Sequence, residues 1–286
     1  VGEPVQCTGL VTKTFLELSP IKKEYLINET KTAKIISPDN QTTEIPLTEY
    51  VLNRTKLDQY LANEAINAGA QLKTQHRFIG LRDNEIIIKH NGEITRKKTD
   101  LIIGADGPLS EVAKHAGIYG QRKMFIGHQA TIKGKFDKQT FTTYFGQKAP
   151  NFFAWIVPEN NTTARAGLAT ETNTQQHFQK YIKEIKGKIT AIQAGLIPNY
   201  QGNEIVEKNN IYLVGDAAAL VKATTGGGIY TGMLSSKILA ESIETGINYT
   251  TALKPLKKML WIHKIIRKIL NNFTDENYNE LIQMMN

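Results

Sequence analysis

The stretch IYLVGDAAALVKATTGGGIYTGM, residues 211 to 233, constrains this chain more than any other. An apolar run ends at Gly215-Asp216, crosses three alanines and meets Gly226, Gly227 and Gly228 before a helix-like segment. A carboxylate at the carboxyl end of a parallel strand accepts hydrogen bonds from sugar or polyol hydroxyls. A turn stripped of side chains lets backbone amides approach a flat ring or a phosphate. The helix beginning at Ile229 then turns its positive dipole end to that ligand. Taken alone, a glycine triplet is equally a tight turn that packs a helix on a strand.

The rest of the chain shows what surrounds this unit. With 286 residues it can bury a sizeable core. Its 41% hydrophobic and 22% charged content is that of an ordinary globular protein. No apolar run reaches the roughly 18 residues of a spanning helix. The first residues lack a basic-then-apolar leader, so no export signal is expected. The single cysteine, Cys7, excludes an internal disulfide and suits a reducing cytoplasm. A net charge of +8 asks for an anionic partner, either a phosphate-rich cofactor or an acidic membrane surface. Nucleic acid is not expected, since zinc-finger cysteines, basic heptads and an aromatic RNA-binding strand are all missing from the sequence.

EIPLTEYVLNR, 44 to 54, reads as an extended segment ending in Arg54. A helix follows from Thr55, with Thr55 and Asp58 as a capping box, one face of Leu57, Leu61, Ala65 and Ala68, and a stop at Gly69. Asn91-Gly92 marks a hairpin turn, and DLIIGADG beyond it reads as a buried strand breaking at glycine. From 124 to 170, β-forming clusters alternate with Gly, Pro and Asn, the pattern of an antiparallel meander. A Thr-capped helix is expected from Thr174 to about Lys188, and helix from Thr251 onward.

Four motifs in order carry a resemblance: VGEPVQCTG at the start, LIIGADGPLSEVAKHAG, PNFFAWIVP at 150 to 158, and IYLVGDAA with TTGGGI. Together they resemble the geranylgeranyl reductase family of FAD-dependent oxidoreductases, whose archaeal members reduce prenyl double bonds of membrane lipids. The resemblance implies an α/β (overall α+β) fold of the flavoprotein hydroxylase type. It would hold an inserted antiparallel β-sheet substrate domain and end in helices. The implied divisions are 1–118 and 205–245 for FAD, 119–204 for substrate, and 246–286 for C-terminal helices.

By the same resemblance Cys7, Thr8 and Gly9 touch the flavin, and Arg54 donates to it. Cys7 is the one weak catalytic candidate. Asp106 and Gly107 lie at the pyrophosphate, although Asp106 can equally cap the following turn. Gly215 and Asp216 take the ribityl or ribose hydroxyls, and Gly227, Gly228 and Ile229 the ring edge. Phe153 and Trp155 line the substrate pocket. The match there is partial: Phe153 and Val157 stand where the family has Tyr and Phe.

The implied reaction is hydride transfer from reduced FAD to a prenyl double bond, with NAD(P)H or ferredoxin as donor and no metal. A monooxygenase of the same superfamily and a non-catalytic lipid-binding protein stay open as alternatives. The family's first Gly-x-Gly-x-x-Gly unit has no counterpart in this sequence, which suggests a fragment, a second polypeptide, or weak flavin binding. TALKPLKKMLWIHKIIRKILNNF places Leu256, Leu260, Ile266 and Ile269 among Lys257, Lys258, Lys264, Arg267 and Lys268. That is the pattern of an interfacial helix or of a basic helix with solvated charges, and it leaves a peripheral place at the cytoplasmic membrane face open.

Overall fold

The computed structural model describes residues 1–82 and 85–286. In chain order the elements begin with β1 (Leu10–Thr12), β2 (Leu26–Ile36), β3 (Thr42–Leu52) and α1 (Arg54–Asn67). Then come β4 (Arg77–Arg82), β5 (Glu85–His90), β6 (Glu93–Lys98), β7 (Ile102–Gly104) and α2 (Glu111–His115). The middle holds β8 (Lys123–Lys133), β9 (Thr140–Tyr144), β10 (Ala154–Asn160), β11 (Thr163–Thr170), α3 (Thr174–Glu184) and β12 (Lys188–Asn199). The chain closes with β13 (Glu207–Lys208), β14 (Ile211–Leu213), α4 (Ile229–Thr245), α5 (Tyr249–Ala252), α6 (Lys254–Leu270) and α7 (Asp275–Met284).

Two compact units share the chain. The first comprises Val1–Leu61, Met124–Leu196 and Ile266–Asn286; the second comprises Ala62–Lys123 and Ile197–Ile265. In the first, an eight-stranded sheet runs β1-β3-β2-β9-β10-β11-β8-β12. The β1–β3, β3–β2, β9–β10, β10–β11 and β11–β8 ladders are antiparallel, and β2 runs parallel to β9. Strand β11, TARAGLAT, divides its small residues between two faces. Ala166 and Leu168 form a core with Ala130, Ile132 and, from α3, Phe178 and Tyr181. The opposite face carries Arg165 and Gly167 and belongs to the site described below.

The second unit holds two three-stranded sheets, β13-β14-β7 and β4-β5-β6. Strands β14 and β7 are parallel, with Ile211 opposite Ile102 and Leu213 opposite Gly104. Gly104 is required there: an added Cβ would stand 2.7 Å from Leu213 and 3.0 Å from Val112. The core beneath joins Val112, Ala113, Leu213, Leu220, Leu239, Tyr249, Leu256 and Leu260. The β5–β6 hairpin turns at Asn91 (φ +48°) and Gly92 (φ +89°), the two left-handed residues its sequence signals.

Several local expectations change. Helix α1 is capped by the Asn53 side chain, which accepts from Lys56 N at 3.1 Å, rather than by Thr55. The Thr55 hydroxyl donates instead to Gly2 O at 3.0 Å. Of the expected apolar face only Leu57 is buried. Helix α3 ends at Glu184, and its N-cap Asn173 is left-handed (φ 54°) without a side-chain cap bond. Thr174 is its first residue and bonds back to the Thr170 hydroxyl at 2.6 Å. Strand β7 is only half-covered, with Ile103 exposed.

Candidate functional site

In the second unit, the parallel pair β7 and β14 delivers two loops. After β7, Asp106 turns back: one carboxylate oxygen accepts from the Ser110 hydroxyl at 2.5 Å and the other from Val112 N at 3.1 Å. Ser110 in turn caps α2, accepting from Ala113 N at 2.9 Å. The capping role open to Asp106 is thus present, and Gly107 (φ +80°) beside it faces open space.

After β14 the chain makes a 3₁₀ turn over Gly215–Ala218. Gly215 N donates to the Ser235 hydroxyl of α4 at 3.0 Å, which ties the turn to the helix. Its own Cβ would stand 3.2 Å from Gly232 Cα, so turn and helix meet backbone to backbone. The half-buried Asp216 carboxylate lies against the first turn of α4: a Cβ on Gly228 would be 2.6 Å from its Oδ1. Gly228 is the N-cap of this helix and makes no side-chain cap bond. The loop before it is closed by Gly226 N donating to Lys222 O at 2.9 Å. The Asp216 carboxylate, the glycines and the start of α4 therefore lie together, which suits a ligand with hydroxyls and partial negative charge.

A residue with no motif of its own holds the two loops together. Arg122 donates to Pro108 O at 3.0 Å, Asp216 O at 3.3 Å, Ala217 O at 2.6 Å and Tyr119 O at 3.1 Å. Its guanidinium also lies 4.1 Å from the Tyr119 ring centroid. Burial pulls its pKa down, opposed by Tyr119 and by nearby carboxylates including Asp106 and Asp216. A planar fork serves these carbonyls where an ammonium cannot. A lone arginine outside any motif gives no sequence signal for this role.

In the first unit, Cys7, Thr8 and Gly9 run beside β3 and β11. Gly9 (φ +74°) admits no side chain, because a Cβ would stand 2.3 Å from Leu52 O. Its amide donates to Cys7 Sγ at 3.2 Å. Arg165, paired with Glu159 at 2.6 Å, donates to Thr8 O at 2.7 Å and Cys7 O at 3.3 Å. Arg54 binds Asp58 at 3.0 Å. Against burial, Cys7 and then Asp58 raise its pKa, so this cation sits beside the Cys7 sulfur.

The sheet register brings the aromatic motif to the same place. Gln129, Gly167 and Trp155 stand in one row across β8, β11 and β10. A Cβ on Gly167 would be 2.7 Å from the indole, so glycine is what lets Trp155 lie over β11. Trp155 Nε1 then donates to Gln129 Oε1 at 3.1 Å, and the Thr8 hydroxyl donates to the same oxygen at 2.7 Å. Gln129 is itself fixed by donating to Gln193 Oε1 at 2.9 Å. Phe153 continues this surface, 5.8 Å from Trp155 and 4.4 Å from Phe152 between ring centroids. Gln129, Arg165 and Gln193 escape a motif search; the faint signal is the Gly in ARAGLA opposite a strand tryptophan.

The sequence-predicted residues thus form two sets. Asp106, Gly107, Gly215, Asp216, Gly227, Gly228 and Ile229 are in the second unit; Cys7, Thr8, Gly9, Arg54, Phe153 and Trp155 are in the first. Among the described residues no group of three or more His, Cys, Asp or Glu is arranged to hold a metal ion. The glycines beside Asp216 and the glycine-led start of α4 fit the ring edge and hydroxyls of a flavin.

The chain is 27% identical to digeranylgeranylglycerophospholipid reductase 3 of Methanosphaera stadtmanae, covering 99% of this chain and 81% of that one. It is also 27% identical to digeranylgeranylglycerophospholipid reductase 2 of Methanothermobacter thermautotrophicus, covering 100% and 83%. Among solved structures, a geranylgeranyl bacteriochlorophyll reductase-like protein of Thermoplasma acidophilum superposes with a TM-score of 0.87 at 22% identity, covering 100% of this chain and 82% of that one. A flavin-dependent brominase has the related fold, with a TM-score of 0.66 at 14% identity, covering 100% and 84%. The family model described as FAD binding domain matches residues 21–248, so the chain belongs to the FAD-binding domain family and its cofactor is FAD.

Proposed function

We propose that this protein is an FAD-dependent reductase that saturates prenyl, geranylgeranyl-type double bonds of isoprenoid membrane lipids. The observation that carries the reading is its likeness, over nearly the whole chain, to enzymes named for that reaction. FAD, when bound, supplies the two electrons that saturate a carbon–carbon double bond. The chain's own residues bind, orient and shield. Asp216 accepts from the cofactor's hydroxyls, Gly227 and Gly228 allow the ring edge to approach, and the start of α4 at Ile229 favours its partial negative charge. Arg122 keeps the Asp106–Gly107 and Gly215–Asp216 loops in register. Arg54 donates beside Cys7, and Gln129 fixes the Trp155 indole so that Trp155 and Phe153 form an apolar wall for a prenyl chain. The electron donor, NAD(P)H or ferredoxin, belongs to the same proposal, as does a cytoplasmic place at the membrane face.

The test begins with the absorption spectrum of the purified chain after FAD is added and the excess dialysed away. Asp216→Ala is expected to weaken FAD retention by roughly tenfold, the loss of one or two charge-assisted hydrogen bonds. The loaded protein, reduced without oxygen, is then mixed with a geranylgeranyl glycerolipid and the product weighed by mass spectrometry. Gain of paired hydrogens supports the reading. Oxygen uptake with NAD(P)H and an unsaturated product would sink it in favour of a monooxygenase.

A further inference from the structure

The charges and apolar residues of α6 sort onto unexpected faces. Its inward stripe is Leu256, Leu260 and then Arg267, continuing from Leu253 just before the helix, while Trp261, Ile262, Ile266 and Ile269 are exposed. The cations that a solvated basic face would display are drawn inward. Lys257 donates to Glu204 O at 3.0 Å and Lys264 to Gln201 O at 2.5 Å. Arg267, 2% exposed, donates to Asn151 O at 3.2 Å and lies 4.9 Å from the Phe152 ring centroid. Toward its end the helix turns Arg267 inside and Ile266 and Ile269 outside. On the outward side only Lys254, Lys258 and Lys268 stay exposed among these apolar residues.

The last 21 residues, 266 to 286, extend this face within the first unit. Between the end of α6 and α7 runs a groove of about 460 Å³ lined by Ile269, Phe273, Leu281 and Met284, with Asn277 and Glu280 on its rim. Ile269 is 52% and Met284 86% exposed, and Ile266, Leu281 and Met285 add to the same exposed apolar set. Such a patch on one helical hairpin marks an interaction surface. From Phe273 a ladder of ring contacts leads inward through Tyr278, Phe145 and Phe153 to Trp155, each step 5.2 to 6.1 Å between centroids.

We propose that the exposed apolar face of α6 and α7, around Ile269, Leu281 and Met284, docks this protein on the surface of a lipid bilayer. The inference rests on the reading of the protein as a reductase of membrane lipids. Three observations select this occupant. The chain carries a net charge of +8, and the outward lysines of α6 flank the apolar residues, which suits anionic headgroups. A tryptophan stands exposed on the same helix, the side chain favoured at a membrane interface. The aromatic ladder joins the face to Trp155, the wall proposed for the prenyl chain.

The test uses the full chain loaded with FAD and vesicles of phosphatidylglycerol mixed with phosphatidylcholine. Wild-type protein is expected to co-sediment with them, and Ile269→Glu/Met284→Glu to bind roughly tenfold more weakly or worse, with an unchanged circular dichroism spectrum. Hydrogen–deuterium exchange on the wild type provides a second readout: vesicles should protect residues 266–286. Unchanged binding by the double variant, or protection confined to other segments, overturns the proposal. So does wild type that ignores vesicles but sediments as a dimer which the double variant dissociates, because the face then joins two copies. Turnover separates this inference from the functional one. Vesicle binding without lipid saturation defeats the reductase reading alone, and reduction of a detergent-dissolved prenyl substrate without vesicle binding defeats the docking surface alone.

Discussion

The two sets of site residues are built by opposite means. In the second unit the loops after β7 and β14 are shaped at backbone groups: Gly215 meets Gly232 Cα, the Gly228 backbone lies against the Asp216 carboxylate, and one arginine laces the carbonyls. In the first unit Cys7–Gly9 and Trp155 are set by side chains from distant strands, Gln129 and Arg165, across a sheet whose neighbours are far apart in sequence. The difference teaches where tolerance lies. A backbone-shaped cradle open to a ligand can absorb a small intrusion by moving the ligand's partner, whereas a strand crossing closed by another strand cannot.

Substituting alanine for a glycine in each set gives the widest contrast. Gly9→Ala sets a left-handed alanine with its Cβ 2.3 Å from the Leu52 carbonyl, a backbone atom that cannot move aside. We expect a loss of about 3 kcal/mol or more in stability, read from the urea midpoint, with poor soluble yield. Gly228→Ala meets the end of a side chain, Asp216 Oδ1 at 2.6 Å, in a residue of ordinary φ. Its stability should change by less than about 1 kcal/mol while FAD retention falls roughly tenfold, since the displaced carboxylate is the group that holds the cofactor. Equal stability losses in the two variants would erase the distinction.

A smaller effect separates the two fasteners. Arg122→Ala strips the part-buried carbonyls of Pro108 and Ala217 of a charged donor, for an expected cost of about 2–3 kcal/mol. Arg122→Lys should recover little of it, because one ammonium cannot reach carbonyls on two loops and stack on Tyr119. Gln129→Leu leaves the Thr8 hydroxyl and Trp155 Nε1 without their acceptor, for about 1–2 kcal/mol. Thermal melts of the three variants check the order. An Arg122→Lys protein as stable as wild type would show that the fork geometry is irrelevant.

The same contrast explains what the sequence makes legible. The Gly-Asp and Asp-Gly loops, the Asn91-Gly92 hairpin and the Gly69 stop after α1 are local: their conformations follow from a few consecutive residues. Gln129, Arg165 and Arg122 owe their roles to strand order and loop proximity, which no local pattern encodes. The joining of β2 to β9 in parallel, across about a hundred residues, hides the neighbours of Cys7 in the same way. The α1 cap went to Asn53 because two candidate caps lay within three residues and Thr55 had Gly2 O to bind. On α6 the hydrophobic period was readable, but a cation that reaches a carbonyl can lie inward as well as a leucine, so periodicity could not say which face is outside.

The smallest expected effect concerns pH and falls on the loop that carries the glycines. Thr224, two residues before Gly226, shares a 2.6 Å hydrogen bond with His263 Nδ1 on α6. Burial, and then Lys222, hold the His263 pKa below its ordinary 6.5, and burial does the same to His128 in the first unit. A histidine whose folded pKa is depressed takes up its proton later in the folded chain than in the unfolded one. The unfolded state therefore binds more protons once pH falls below about 6.5, and stability drops from there toward the folded pKa while staying level above it. Urea midpoints at neutral pH and about one unit below 6.5 should show this decline, before the carboxylates begin to titrate. His263→Gln, which keeps a hydrogen-bonding partner for Thr224 but cannot take a proton, should remove part of the slope and leave His128 to supply the remainder. If the slope survives His263→Gln intact and vanishes with His128→Gln, acid sensitivity belongs to the side-chain-built first unit alone, and the glycine loop of the second is indifferent to pH.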